Sequence, residues 1–129
     1  MNRSKDWLEQ AELDLQHAVN SKKNKDFNWA CFASQQAAEK AIKSLYLYLH
    51  MEGWGHVIKN LLEEISEDIE VPHNLFTAGK RLDQYYIPTR YPNGFDAGKP
   101  ADFYTEEDAQ EAIDYAKEII EFCKNKISP

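Results

Sequence analysis

The stretch from Asp26 to Met51, DFNWACFASQQAAEKAIKSLYLYLHM, decides the fold, because it contains neither glycine nor proline and is rich in good helix formers. On a helix that turns by about 100° per residue, its small and apolar side chains fall into one stripe. The stripe holds Ala30, Ala33, Ser34, Ala37, Ala41, Ser44, Leu45 and Tyr48, with Cys31, Ala38, Ile42 and Leu49 along its flank. Small side chains let neighbouring helices approach closely. The stretch therefore predicts the central helix of the domain.

The other face of this helix is polar and carries Gln36, Glu39, Lys40 and Lys43, spaced to meet as neighbours one turn apart. Two interpretations of this face stay open. The four residues could line a ligand cleft or a dimer surface, with the two lysines as phosphate partners. Alternatively, they form ion pairs along a solvated face, where Glu39 and Lys43 have a favourable spacing of four residues.

Length and composition favour one domain, residues 1–129, since 129 residues with 43% hydrophobic content suffice for a single core. Acidic residues outnumber basic ones by 22 to 15, which argues against a general DNA-binding protein, because phosphate affinity comes from clustered lysine and arginine. Cys31 and Cys123 lie far apart and predict buried free thiols in a reducing compartment. The charged N-terminus and the short apolar runs predict a cytoplasmic protein without a membrane association.

Four further helices follow from the spacing of apolar residues, which gives an all-α, up-and-down bundle of four or five helices. Ser4 is the expected N-cap of the first helix and Asp26 that of the second, and Gly53 and Gly55 are expected to end the second. The third and fourth helices are predicted from about His56 to Ile69 and from about Asn74 to Tyr86, and Thr105 opens the last. From Ile87 to Tyr104, three prolines and two glycines predict a long loop without regular structure.

Three segments carry recognisable motifs: QQAAEKAIKSLYLYL from Gln35 to Leu49, GHVIKNLL from Gly55 to Leu62, and LDQYYIPTRYP from Leu82 to Pro92. Together with the alanine-rich final helix, they resemble the HEPN domain, a family named for nucleotide binding in higher eukaryotes and prokaryotes. The resemblance covers nearly the whole chain. It implies a helical bundle that usually forms a homodimer and commonly acts beside a separately encoded minimal nucleotidyltransferase, in a toxin-antitoxin-like system of two components.

Some members of that family are metal-independent ribonucleases, which resemble one another in an arginine followed four to six residues later by a histidine. The present chain departs from this pattern. Its histidines are His17, His50, His56 and His73, and none follows Arg90. This departure weakens the ribonuclease interpretation and favours a binding module, for which the resemblance implies a nucleotide such as ATP or GTP as ligand and no other cofactor.

Arg90 is the first candidate site residue, because a guanidinium flanked by Tyr86 and Tyr91 suits a phosphate and a stacked base. A structural role is the alternative, in which Arg90 pairs with a carboxylate or caps a helix. His56 resembles the family histidine at its position and could contact an anion or transfer a proton. A histidine at a helix start also commonly satisfies nearby backbone groups. Gln36, Lys40 and Lys43 complete the candidate ligand-binding set.

Several other patterns predict structural roles. Trp29, Tyr46, Tyr48 and Tyr85 are expected to be core or interface aromatics. Asp14 and His17 form a single carboxylate-x-x-histidine motif, whereas a di-iron bundle needs two, so no metal site is expected.

Three functional hypotheses remain. The first is a dimeric nucleotide-binding module that acts with a nucleotidyltransferase. The second is a metal-independent ribonuclease that uses His56 and Arg90, and RNA is a partner only under this alternative. The third is a domain that only assembles with other proteins through its helix faces.

Overall fold

The computed structural model describes residues 2–127, and every regular element in that range is helical. The five α-helices are α1 (Ser4–Lys23), α2 (Phe27–Tyr48), α3 (Ile58–Ile65), α4 (His73–Asp83) and α5 (Glu106–Ile127). The prediction of an all-α helical bundle is confirmed.

Helix α2 lies at the centre, since it packs against all four other helices and most extensively against α1 and α5. Its stripe of small side chains is buried as expected, and Ala30, Ala37 and Ala41 are fully inaccessible. Larger apolar residues from α3, α4 and α5 complete the core, among them Leu61, Leu62, Ile65, Leu75, Leu82, Ile119 and Ile120. Cys31 and Cys123 are both buried in this core as free thiols.

Two of the four aromatic side chains that were expected in the core or at an interface lie at the surface of the bundle. Tyr48 is 40% exposed and Trp29 is 47% exposed, so neither is a core residue. Tyr46 is fully buried, as expected, and its hydroxyl donates a hydrogen bond of 2.6 Å to the carbonyl of Leu61. The buried stripe of α2 thus ends before Tyr48, which the sequence pattern had included in it.

Helix α2 ends before the glycines that were expected to stop it. The chain turns at His50, which adopts a left-handed conformation with φ of 60°. The backbone N–H of His50 donates to Leu47, and that of Met51 donates to Tyr46, which is the Schellman pattern. The prediction that Gly53 and Gly55 end this helix is wrong, because the turn forms without a glycine.

The N-terminal caps follow the sequence only in part. Arg3, not Ser4, occupies the N-cap position of α1, and the Ser4 N–H donates instead to the side chain of Asn2. Asp26 holds the N-cap position of α2 but makes no side-chain capping bond. Before α5, Thr105 and Asp108 exchange reciprocal hydrogen bonds in a capping box, as expected for a helix that opens at Thr105.

Helices α3 and α4 are shorter than predicted, which leaves His56 before α3 and Tyr86 after α4. The Asp83 carboxylate accepts hydrogen bonds from the N–H groups of Ile58 (2.6 Å) and Lys59 (3.1 Å). A carboxylate at this point satisfies two of the free N–H groups at the start of α3. The end of α4 thereby fixes where α3 begins.

The long connection from 87 to 104 is not wholly irregular, because it contains two short 3-10 turns, Pro92–Gly94 and Pro100–Asp102. Each begins at a proline, whose fixed φ suits the first position of such a turn. The prediction of no regular structure here is therefore wrong in detail.

Candidate functional site

Arg90 lies in an aromatic surrounding at the start of the long connection. Its guanidinium carbon is 4.2 Å from the ring centroid of Phe32, 5.0 Å from that of Tyr86 and 5.1 Å from that of Tyr91. Its Nε and Nη2 groups both donate to the backbone carbonyl of Tyr86, at 3.0 and 2.7 Å. The Tyr86 carbonyl therefore fixes the edge of the guanidinium formed by Nε and Nη2, and the three aromatic rings restrict the orientation of its plane.

The segment that carries Arg90 is tied to the first turn of α2. The side-chain amide of Asn28 donates to the carbonyl of Thr89 at 3.0 Å. Thr89 is itself fully buried, and its hydroxyl donates to the carbonyl of Tyr85 at 2.6 Å. These two bonds hold the Arg90 segment against the face of α2 that carries Phe32.

His56 contacts the same tyrosine ring as Arg90. The imidazole stacks on Tyr86 with ring centroids 4.8 Å apart and planes inclined by 17°. Its Nδ1 lies 3.0 and 3.2 Å from the two carboxylate oxygens of Glu39, while 54% of the side chain is exposed. The ring is thus held on one side and open to solvent on the other.

Glu39 is the centre of a polar network on α2. Its side chain is 6% exposed, and besides His56 it accepts hydrogen bonds from Lys43 at 3.0 Å and from the amide of Gln35 at 3.2 Å. Gln35 is fully buried and also bonds the carbonyl of His56, at 3.3 Å, while Gln36 donates to its side-chain oxygen. Such a network fixes the position of the carboxylate.

The structure brings together six of the seven candidate ligand-binding residues and separates the seventh. Arg90, Tyr86, Tyr91 and His56 share one cluster, and Gln36 and Lys43 join it through Gln35 and Glu39. Lys40 points elsewhere, since its ammonium group pairs with Asp14 on α1 at 2.5 Å. The interpretation of the polar face as simply solvated is wrong at Glu39, which is buried because the His56 segment crosses over it.

Sequence reasoning missed three residues that shape this site, Phe32, Asn28 and Gln35, whereas Glu39 was among the residues that could line a ligand cleft. Phe32 appeared as one more apolar residue of α2, and only its distance to Arg90 gives it a part in the site. A signal was available for Gln35, because an amide next to the apolar stripe needs buried partners.

Asp83 adds a second acidic group beside this cluster. Burial raises the pKa of its carboxyl above the usual value, and the nearby charge of Glu39 acts in the same direction, while the N–H groups of Lys59 and Ile58 oppose the shift. Of the basic groups, the His56 side chain is 54% exposed and Arg90 is half-buried, whereas the Lys43 side chain is 14% exposed and paired with the buried carboxylate of Glu39. This arrangement can receive an anion from solvent.

Two further observations concern the described residues as a set. Between residues 2 and 127, no three His, Cys, Asp or Glu side chains lie close enough together to hold a metal ion. None of the helices in that range is both long and apolar enough to cross a membrane.

Comparison with known proteins agrees with this fold. The HEPN domain model matches residues 4–126. Among solved structures, TT1696 from Thermus thermophilus is 51% identical with a TM-score of 0.95, over 98% of this chain and 99% of that one. ST0689, an archaeal HEPN homologue, is 39% identical with a TM-score of 0.85, over 99% and 100% of the two chains.

A more distant relative has a functional name. The "Putative toxin MJ1304" of Methanocaldococcus jannaschii is 24% identical over 128 residues, which span 92% of this chain and 84% of the relative. The family model covers nearly all of the helical bundle and includes every residue of the Arg90 cluster. The protein described here is a member of the HEPN domain family.

Proposed function

We propose that this HEPN protein binds a nucleotide through the cluster of Arg90, Tyr86, Tyr91 and His56. The observation that carries the proposal is the double contact of Tyr86, whose ring lies within 5.0 Å of both the Arg90 guanidinium carbon and the His56 ring centroid. An arginine and a histidine that both contact one tyrosine ring can contribute jointly to a phosphate site.

The remaining donors of Arg90 support this role. Two of its three nitrogen atoms already donate to the Tyr86 carbonyl, which leaves Nη1 and the second hydrogen of Nη2 for a ligand oxygen. Arg90 makes no ion pair with a carboxylate in the described chain, so its charge is free for an anion. The ring of Tyr91, 49% exposed, offers a face on which a base can stack.

The biological setting that fits this site is a toxin-like module of two components. The distant relative is named a putative toxin, and the resemblance of the motifs implies a homodimer that acts beside a minimal nucleotidyltransferase. A protein that binds a nucleotide on an open surface is suited to meet such an enzyme, since the partner can reach the ligand. Co-purification of this protein with a minimal nucleotidyltransferase from the same organism would test the partnership.

Calorimetric titration with ATP and GTP tests the nucleotide site. Arg90→Lys keeps the charge but loses the fork of donors, so we expect at least a tenfold loss of affinity. Arg81→Lys, on the exposed face of α4, is the matched control and should bind like the wild type. A folded protein that binds neither nucleotide would refute the proposal, as would equal affinity in Arg90→Lys and wild type.

Metal-independent RNA cleavage is a second candidate, favoured by one observation. His56 is half exposed and contacts the same ring as Arg90, so one cluster contains a group that can transfer a proton and a group that can bind a phosphate. This function predicts cleavage that persists in the presence of a chelator and is lost in both His56→Gln and Arg90→Lys. Absence of cleavage on diverse single-stranded RNAs would reject it.

A further inference from the structure

We infer that Glu39 is a positioning residue that fixes His56 with Nδ1 protonated and Nε2 open as a hydrogen-bond acceptor, which makes the site prefer ribonucleotides over deoxyribonucleotides. This inference rests on the proposed nucleotide-binding function and assigns its sugar specificity. It gives a role to a buried carboxylate that phosphate binding alone does not need, because a negative charge beside an anion site opposes the ligand.

The contacts of Glu39 determine the tautomer of His56. The Glu39 carboxylate accepts bonds from Lys43 and Gln35, and an ionised carboxylate has no hydrogen to donate. The Nδ1 atom, 3.0 Å from Oε2, must therefore carry the hydrogen of this contact. In the neutral imidazole, Nε2 then has a free lone pair. This is the tautomer that free histidine disfavours, so the protein has to impose it.

The imidazole cannot easily turn to present the other nitrogen. Its face is stacked on Tyr86 at 4.8 Å, and the carbonyl of its own residue is bonded to the amide of Gln35. The Glu39 carboxylate, the Tyr86 ring and the bond from Gln35 together restrict rotation of the imidazole. Because Nδ1 faces Glu39, the free Nε2 is directed away from it, in a side chain that is 54% exposed to solvent.

An acceptor beside a phosphate site selects among sugars. With the nucleotide phosphate on Arg90, the Nε2 atom of the neutral imidazole can accept a hydrogen bond from the 2′-hydroxyl of a ribose. A 2′-deoxyribose lacks this hydroxyl and cannot donate the bond. One neutral hydrogen bond changes affinity by about two- to tenfold. Glu39→Gln should remove the preference, because the Lys43 ammonium group retains the oxygen that it now binds, and the new amide nitrogen then replaces Oε1, which lies 3.2 Å from Nδ1.

The first experiment observes the tautomer directly. Long-range ¹⁵N–¹H spectra of the ligand-free full-length protein, recorded at a pH at which imidazole is neutral, report which ring nitrogen is protonated. The signal of His56 is assigned by its loss in His56→Gln. We expect a protonated Nδ1 in the wild type and in the control Glu63→Gln, which removes an exposed carboxylate of α3. We expect a shift to protonated Nε2 in Glu39→Gln.

A wild-type spectrum with Nε2 protonated would overturn the inference, even if Glu39→Gln fails to fold. An unchanged spectrum in a folded Glu39→Gln would overturn it as well. This readout needs no ligand, and a merely structural role of Glu39 would not change the tautomer.

The second experiment compares ATP with 2′-deoxy-ATP by calorimetry. The wild type should prefer ATP by about two- to tenfold, and Glu39→Gln should bind both with similar affinity. Equal wild-type affinities would overturn the sugar preference. Binding of neither nucleotide would refute the proposed function together with the sugar preference, while the spectra would still decide whether Glu39 sets the tautomer.

Discussion

The contact of both His56 and Arg90 with one ring predicts that Tyr86 couples them energetically. Tyr86→Leu keeps apolar bulk beside Phe32 and removes the π face. A stacked aromatic pair contributes about 0.5–1.5 kcal/mol, and a partly exposed cation–π contact contributes about 0.5–1 kcal/mol. Because Tyr86 makes both contacts, at 4.8 and 5.0 Å, we expect this variant to lose about 1–2.5 kcal/mol in free energy of unfolding.

Double-mutant cycles in urea denaturation measure the two contacts separately. Tyr86→Leu combined with His56→Gln should give a coupling energy of about 0.5–1 kcal/mol, and Tyr86→Leu combined with Arg90→Met a similar value. Tyr48→Leu combined with His56→Gln is the control and should show additive effects, because Tyr48 lies at the far end of α2. Coupling energies below about 0.3 kcal/mol in both Tyr86 cycles would refute the shared-ring geometry.

Three further predictions concern stability and reactivity. Burial raises the pKa of Asp83 above 3.8, so its protonated carboxyl contributes fully to stability below that pH, and this contribution is lost as the pH rises through the folded pKa. In urea titrations, the free energy of unfolding of Asp83→Asn should therefore increase relative to that of the wild type as the pH increases from 3.8. A difference that is constant with pH would contradict this prediction. Gly79→Ala should lower the free energy of unfolding by about 1–2 kcal/mol, because the new Cβ would lie 3.0 Å from a methyl group of Ile58. This cost should exceed the gain from the better helix propensity of alanine. A variant that is stabilised in thermal melts would contradict the prediction and show that α3 can move away. Burial raises the pKa of Cys31 to about 12 and that of Cys123 above its usual range. A thiol reagent at about pH 8 should therefore label neither cysteine in the folded protein and both after denaturation. Rapid labelling of the native state would contradict this prediction and indicate an open core.

The sequence was sufficient for the fold because the information lies in local patterns. The small-residue stripe of α2 predicted a central helix, and Thr105 was correctly expected to open the last helix, α5. The helix ends were less predictable. A histidine rather than a glycine adopts the left-handed turn after α2, and a carboxylate from α4 determines where α3 begins.

The residues of the candidate site were largely predictable from the sequence, but the contacts between them were not. Arg90, His56 and the neighbouring tyrosines were recognisable from residue type and motif, but their common contact with Tyr86 depends on how two connections cross α2. The same crossing buries Glu39, whose spacing from Lys43 is equally typical of an exposed ion pair. Lys40, only one residue further along the helix, faces α1 instead. Burial at these positions is a property of tertiary packing, which helical periodicity alone does not specify.

The most direct test of the nucleotide site is to follow the Arg90 Nε–H signal in ¹H–¹⁵N spectra during titration with ATP. Arg90→Lys identifies this signal by its disappearance. The account predicts a saturable shift of the Arg90 signal, with parallel shifts of the ring signals of His56 and Tyr86 at the same ATP concentrations. A spectrum in which these signals stay fixed while others shift, or in which nothing shifts at millimolar ATP, would contradict the assignment of this cluster as the nucleotide site.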